Sequence, residues 1–403
     1  MAKKLPATDL LGAGKTTLLN QILNNREGRP VAVMVNDMGE ANIDAELIRN
    51  GDARLSHTNE TLVEMSNGWI RCMLRDDLLR EVRRLAEEGR FDYLLIEPTG
   101  ISEPHPVAAT FEFRDESGTS LSDIARLDTM VTVVDASTLL KNYSSRDFAR
   151  DRGETLCDGD GRTLVDLLAE QIEFANIIVL NKIDLIDAGQ LAGARQIIAA
   201  LNVDARIVEA RYGEVPLHTV FDIESFNLER AQLNPLWGKE LYGFTEHIPE
   251  TEEYGISSFV YTARAPFHPT RFYDFIGSFW KGVVRAKGFF WLATRPDRVG
   301  ELSQAGPVVR TTPRGLWWAA IPKQDWPDDP HSLAALRKRW HKAYGDRRQQ
   351  LVFIGIDMDE AALRQSLNDC LIGSDTAEQV DLKALSGLRD PFVRWGGTDA
   401  ASR

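Results

Sequence analysis

Leu10-Leu11-Gly12-Ala13-Gly14-Lys15-Thr16-Thr17 forms most of a phosphate-binding loop. The full pattern is GxxxxGK[ST], and the slot five residues before Gly14 holds Asp9 instead of glycine. Small residues at Gly12, Ala13 and Gly14 let successive backbone N–H groups turn inward around phosphates. Lys15 has the reach to meet β- and γ-phosphates, and the Thr16 hydroxyl suits Mg²⁺. Thr17 continues into an apolar-periodic run, so Thr16–Asn25 is expected to be a helix whose positive end faces the same anion. Asp9 puts a negative charge close to that phosphate.

Outward from the loop, the first ~210 residues alternate short apolar runs with amphipathic stretches. That is the rhythm of an α/β fold, a mostly parallel sheet flanked by helices. The expected strands are Pro30–Val35, Tyr93–Ile96, Met130–Val134, Ile177–Leu180 and Ala205–Val208. Leu74–Glu88 and Leu164–Glu173 read as helices. Residues 142–162 are polar and Gly-containing and read as a surface insertion. The resulting layout is an α/β domain over 1–211, a loop-rich linker over 212–255, a smaller α+β domain over 256–373 and a polar, loosely held tail over 374–403. In the second domain, strands are expected near 256–263, 283–293, 316–321 and 350–356, with helices at 269–280 and 359–371. A normal first strand of roughly 5–6 residues can barely be fitted between Leu5 and the loop.

Composition narrows the function classes. A net charge of −13 over 403 residues gives no broad basic face for nucleic acid or an anionic membrane. No apolar run approaches the roughly 20 residues that span a bilayer. The N-terminal MAKKLPATDLL lacks an apolar leader core. Three scattered cysteines (Cys72, Cys157, Cys370) make no disulfide framework, so a reducing cytoplasm is expected.

A second motif follows an apolar run: Asn181-Lys182-Ile183-Asp184. NKxD at a strand end is how many GTPases select guanine. The Asp184 carboxylate can accept from guanine N1–H and the 2-amino group, which adenine cannot offer. The plainer reading is a strand–helix turn capped by Asp184. Phe91–Gly100, FDYLLIEPTG, is a buried-strand pattern ending in Glu97, where a Mg²⁺-associated carboxylate belongs. A simple strand and turn would read the same way. The polar loop after Val35 holds Asp37, Glu40 and Asp44; it is either a switch loop touching a metal through Asp37 or Glu40, or a solvated loop.

These pieces, in this order, resemble the CobW-like GTPases, relatives of the nickel-insertion GTPases of hydrogenase and urease. The likeness extends through AKGFFWLATRP and GDRRQQLVFIGIDMDEAAL in the second domain. It implies a P-loop GTPase domain followed by a CobW C-terminal-type α+β domain, hydrolysing GTP to GDP and phosphate with Mg²⁺. Lys15, Thr16 and Glu97 would be catalytic; Gly12, Ala13, Gly14, Lys15, Thr16, Thr17, Asn181, Lys182 and Asp184 would bind nucleotide. The implied partners are guanine nucleotide and a client metalloprotein, with a homodimer left open.

The branch it looks most like contains zinc metallochaperones and nitrile hydratase activators, in which E-M-x-N-G-C-x-C-C holds the cargo metal. Here that stretch is Glu64-Met65-Ser66-Asn67-Gly68-Trp69-Ile70-Arg71-Cys72. Trp69 and Arg71 replace two of the thiolates. Zn²⁺ prefers four ligands in a tetrahedron, so Cys72 with Asp37 or Glu40 makes at most an open site, and Arg71 repels a dication. His105 is the one histidine placed as a supplementary ligand. A non-catalytic, partner-binding relative is the alternative, motivated by the missing first glycine, the lost cysteines and the shortened first strand. Eight of nine tryptophans lie at Trp237 or beyond; they read as the aromatic core of the second domain or as a client-binding surface.

Overall fold

A computed structural model describes residues 2–9, 13–24, 30–35, 62–64, 82–97, 108, 111, 120–146, 163–223, 226, 255–327, 329–373 and 384–395. The chain divides into two compact units, Met1–Leu236 and Trp237–Arg403.

The first unit is built on a parallel sheet in the order β3-β2-β4-β1-β6-β7-β8, with β5 also pairing β1. Its strands are β1 (Ala2–Asp9), β2 (Val31–Val35), β3 (Leu62–Glu64), β4 (Tyr93–Glu97), β5 (Ala125–Leu127), β6 (Val131–Asp135), β7 (Ile177–Asn181) and β8 (Arg206–Glu209). Alternate side chains of the central strands enter two separate cores. Val31, Val33, Tyr93 and Leu95 meet Leu18, Leu19 and Ile22 of the helix Lys15–Asn24. Ala32, Met34, Leu94 and Ile96 meet Val82, Leu85 and Phe111 on the other face. Strands covered on both faces read as continuous apolar runs, which is why β2, β4, β6 and β7 lie where the sequence indicates, within a residue or two.

Four expectations are corrected. β1 is a full eight-residue strand running through Asp9, not a truncated one. Its register explains how: it pairs β4 along one edge, and β5 then β6 along the other. Residues 212–223 are not free linker, because Leu217, Val220 and Phe221 are buried in the core beneath the Lys15–Asn24 helix. Leu316–Ile321 is not a strand. Leu316 ends a long strand, and a 3-10 turn follows at Trp318–Ala320. The tail is not loose throughout: Phe392 is 6% exposed and packs into the second unit's core. Helical residues 82–88 fall within the expected Leu74–Glu88, whose earlier part lies outside the described residues.

The second unit is a five-stranded antiparallel sheet, β12-β11-β10-β13-β9. Its strands are β9 (Ile256–Ala263), β10 (Val283–Phe290), β11 (Arg298–Ala305), β12 (Val308–Leu316) and β13 (Gln349–Ile356). Phe259, Tyr261 and Ala263 of β9 and Leu351 and Phe353 of β13 share one core with Phe272, Leu363 and Leu367 of the helices Pro269–Ile276 and Glu360–Cys370. Trp280, Trp291 and Trp317 are buried within the unit. Among the described residues, no helix is long and apolar enough to cross a membrane.

Candidate nucleotide site

All strands of the first sheet run parallel, so their C-terminal ends share one edge. Val35 lies beside Glu97 in register, and Asp135 beside Asn181. Adjacent to β1, the chain turns into the Lys15–Asn24 helix and then crosses to β2, on the far side of β4. The connection from β1 runs to one side of the sheet, to β2, and that from β4 runs to the other, to β5 and β6, the reversal of strand order at which open α/β sheets take ligands.

Ala13 and Gly14 form the turn before the helix, and the Leu18 N–H donates to the Gly14 carbonyl (2.9 Å). Gly14 sits at φ +110°, and a Cβ there would lie 2.5 Å from Asn181 Nδ2. Glycine is needed for both conformation and space. Lys15 Nζ lies 3.7 Å from Glu97 Oε1, with those side chains only 9% and 2% exposed. Thr16 is half-buried and Thr17 exposed. The helix has no acidic residue in its first turn, so its N-terminal field is left undiminished for an anion.

Asn181 ties this turn to a second one. Its Nδ2 donates to the Ala13 carbonyl (2.9 Å), and its Oδ1 accepts from the Gly213 N–H (3.0 Å). Gly213, at φ +70°, lies so close to the Lys15–Asn24 helix that a Cβ would stand 2.8 Å from the Leu18 backbone nitrogen. Lys182 follows in the left-handed region at φ +60°. Its Nζ donates to Asp135 Oδ2 at 2.7 Å. Burial opposes ionisation of Asp135. The Lys182 ammonium and the N–H and O–H donors of Ser137 outweigh it, holding the carboxyl below the usual carboxylate range. Asp184 stands exposed in the 3-10 turn Ile183–Leu185. It does not cap the next helix; Asp187 does, accepting from the Gln190 N–H.

One edge therefore brings together Ala13, Gly14, Lys15, Thr16, Glu97, Asn181, Lys182 and Asp184. Gly12, Asp37, Glu40, Gly100, Cys72 and His105 lie outside the described residues, as does the side chain of Asp9. Among the described residues, no three His, Cys, Asp or Glu groups are placed to hold a metal ion. Two contributors escaped the sequence reading. Asp135 looks like an ordinary helix cap for Ala136–Tyr143, which it also is. The turn at 211–214 carries its signal in the Tyr-Gly pair after β8, where Tyr212 holds φ +53° with 69% of its surface exposed.

Fold and edge together define a P-loop nucleotide-binding α/β domain joined to a separate antiparallel α+β domain. Residues 7–209 match the CobW/HypB/UreG nucleotide-binding domain, and residues 256–371 match the cobalamin synthesis protein cobW C-terminal domain. The chain belongs to the CobW/HypB/UreG family. It is 44% identical over 384 residues to zinc-regulated GTPase metalloprotein activator 1 of Dictyostelium discoideum, covering 92% of this chain and 80% of that protein. It is 28% identical over 381 residues to zinc chaperone CobW of Sinorhizobium sp, covering 90% and 96% respectively. Among solved structures, Zn(II)-bound YjiA GTPase from E. coli aligns with 92% of this chain and 99% of its own at 20% identity and a TM-score of 0.39.

Proposed function

We propose that the chain binds and hydrolyses GTP, yielding GDP and phosphate, as a metallochaperone that passes a metal to a client metalloprotein in the cytoplasm. The observation that carries the reading is the convergence of the Lys15–Glu97 pair and the Asn181–Asp184 turn on one sheet edge. Lys15 offers a buried ammonium to the β- and γ-phosphates, and the N–H groups following Gly12 and Ala13 cradle them. Asn181 acts on the loop rather than on the base, while Asp184, exposed, accepts from guanine N1–H and its 2-amino group.

Thr16 and Glu97 offer oxygen donors beside Lys15, the ligand chemistry Mg²⁺ takes. Mg²⁺ bound there supplies charge neutralisation to the transferring phosphoryl group. Zinc as cargo rests on the names of the relatives, and the Asp37, Glu40 and Cys72 set carries it only as an open site. The non-catalytic alternative loses one of its three motives, since β1 is full length.

Titration calorimetry with GTP, GDP and ATP tests the nucleotide reading. GTP and GDP binding well above ATP is expected, and no guanine-nucleotide binding at tens of micromolar overturns it. Phosphate release should fall about 10²–10³-fold in Lys15→Ala; a rate equal to wild type removes the catalytic role. Competition with a chromophoric zinc chelator tests the cargo: submicromolar binding supports zinc delivery, and its absence leaves a GTPase without that metal.

A further inference from the structure

A cavity of about 600 Å³ opens in the second unit between the segment Thr294–Arg298, which leads into β11, and residues 388–395. That volume lies within the range of ligand pockets, about 300–1,000 Å³. One side chain ties the two walls together. Arg295 grips Asp390 with two N–H groups (2.7 and 3.0 Å), donates to the Phe392 and Val393 carbonyls, and lies 4.5 Å over the Trp395 ring. The Thr294 hydroxyl donates to the same carboxylate at 2.6 Å. The other lining carboxylate, Asp297, accepts from Arg347 at 3.2 Å. Two guanidiniums remain, Arg298 on one wall and Arg394 on the other. Among the described residues, no carboxylate lies within ion-pair distance of either. Leu388 and Trp395 give the same cavity an apolar side. In a chain of net charge −13, this is a local reversal of the field.

The positive surface continues past the rim. Arg347 donates to the Pro296 carbonyl, and Arg264 donates to the carbonyls of Arg347 and Arg339. Around that point Arg337, Lys338, Arg339 and Lys342 are exposed and, among the described residues, without an ion-pair partner.

We propose that this cavity and its flank dock an acidic peptide segment of a partner protein. Arg298 and Arg394 take one carboxylate, and a neighbouring apolar side chain lies on Leu388 and Trp395. Guanidinium forks match a carboxylate with paired hydrogen bonds. A small anion would use neither the apolar side nor the flank, and a nucleic acid would bring its phosphates against an acidic chain. The cavity lies wholly within the second unit, so it stands or falls apart from the guanine reading of the first.

Arrays of hexapeptides combining Asp or Glu with Leu, Phe or Trp, and matched arrays with Asn or Gln, test this against the full chain at physiological salt. Acidic peptides should be retained and their neutral counterparts not. In fluorescence anisotropy, the affinity of the best acidic peptide should fall about tenfold in Arg298→Gln and in Arg394→Gln. It should not change in Lys281→Gln, an exposed cation of the same unit outside the cavity. Equal retention of neutral peptides, retention of none, or an unchanged affinity in the two arginine variants overturns the proposal. Displacement by inorganic phosphate or a single-stranded oligonucleotide, at the concentration where the peptide itself half-saturates, assigns the site to a phosphate-bearing ligand and overturns it too. If Arg298→Gln does not fold, Arg394→Gln, on an exposed side chain, decides alone.

Discussion

Replacing Asn181 by alanine removes a buried carboxamide that joins two turns otherwise far apart in the sequence. Asn181 is 2% exposed, and its bonds to the Ala13 carbonyl and the Gly213 N–H measure 2.9 and 3.0 Å. A buried polar group left without its partner costs about 1–3 kcal/mol. Ala13 is 3% exposed and Gly213 is buried, so the two orphaned groups together cost about 3 kcal/mol. For a domain of this size that is roughly 6–12 °C in melting temperature. The loss should fall on the first unit alone. Eight of the nine tryptophans lie in the second unit, so tryptophan emission follows mainly the unit that should not move. Scanning calorimetry should show the first unit's transition falling by about 6–12 °C, with the fluorescence midpoint unchanged and GTP affinity at least about tenfold weaker. Asn181→Asp should do no better: it keeps an acceptor for Gly213 but turns a carboxylate oxygen toward the Ala13 carbonyl. A first-unit transition within about 2 °C of wild type, with unchanged GTP affinity, would refute the claim that Asn181 holds the phosphate loop.

Three further outcomes are expected. Phe392→Ala should destabilise the second unit by about 3–5 kcal/mol, since its ring packs among Phe272, Tyr273 and Phe290; urea unfolding followed by tryptophan emission measures it. Asp135 has a folded carboxyl below its unfolded value, so its stabilisation is present above the unfolded value, about 3.9, and is lost as pH falls through the folded one; acid unfolding of Asp135→Asn should be shallower than wild type at and below about pH 4. Cys370 is buried and its thiol pushed up to about 12 by burial, so iodoacetamide at pH 8 should leave it unmodified in native protein and alkylate it in urea, as read by peptide mass spectrometry.

The parallel sheet was legible because its central strands are covered on both faces, which forces unbroken apolar runs such as Ile177–Leu180. β1 was not, since AKKLPATD has two lysines, a proline and no such run. It is a strand because β4 offers one edge while β5 and β6 share the other, and pairing overrides propensity. Pro6 pairs Ile96 of β4 on one side and lies, on the other, between the residues that pair β5 and those that pair β6. The β11–β12 hairpin escaped for a related reason: Thr-Pro-Arg-Gly at 312–315 reads as a turn, yet it lies on an edge strand that tolerates Pro313 and Gly315. Gly14-Lys15-Thr16, Glu97 and Asn181–Asp184 stand out in the sequence by residue type and spacing, and the structure brings them to one sheet edge. Asp135 does not stand out, because a helix cap and a lysine anchor look identical in sequence.

The geometry also divides labour within NKID in a way the motif alone does not reveal. Asn181 points its amide at the turn before the Lys15–Asn24 helix and its carbonyl at the turn after β8, while Lys182 reaches Asp135 and Asp184 stands exposed. Gly14 has no room for a side chain because Asn181 fills it, and Gly213 has none because the Lys15–Asn24 helix fills it. On the proposed reading, the loop that would meet phosphate and the turn that would meet the base are braced by one residue, so ordering either end lowers the entropic cost of ordering the other. Hydrogen exchange should show this. Guanosine, which lacks phosphates, should slow exchange at the Leu18 amide as well as at Gly213, and in Asn181→Ala the Leu18 effect should be lost. No Leu18 protection in wild type would mean that the two ends are ordered independently, and undiminished Leu18 protection in Asn181→Ala would mean that Asn181 is not the brace.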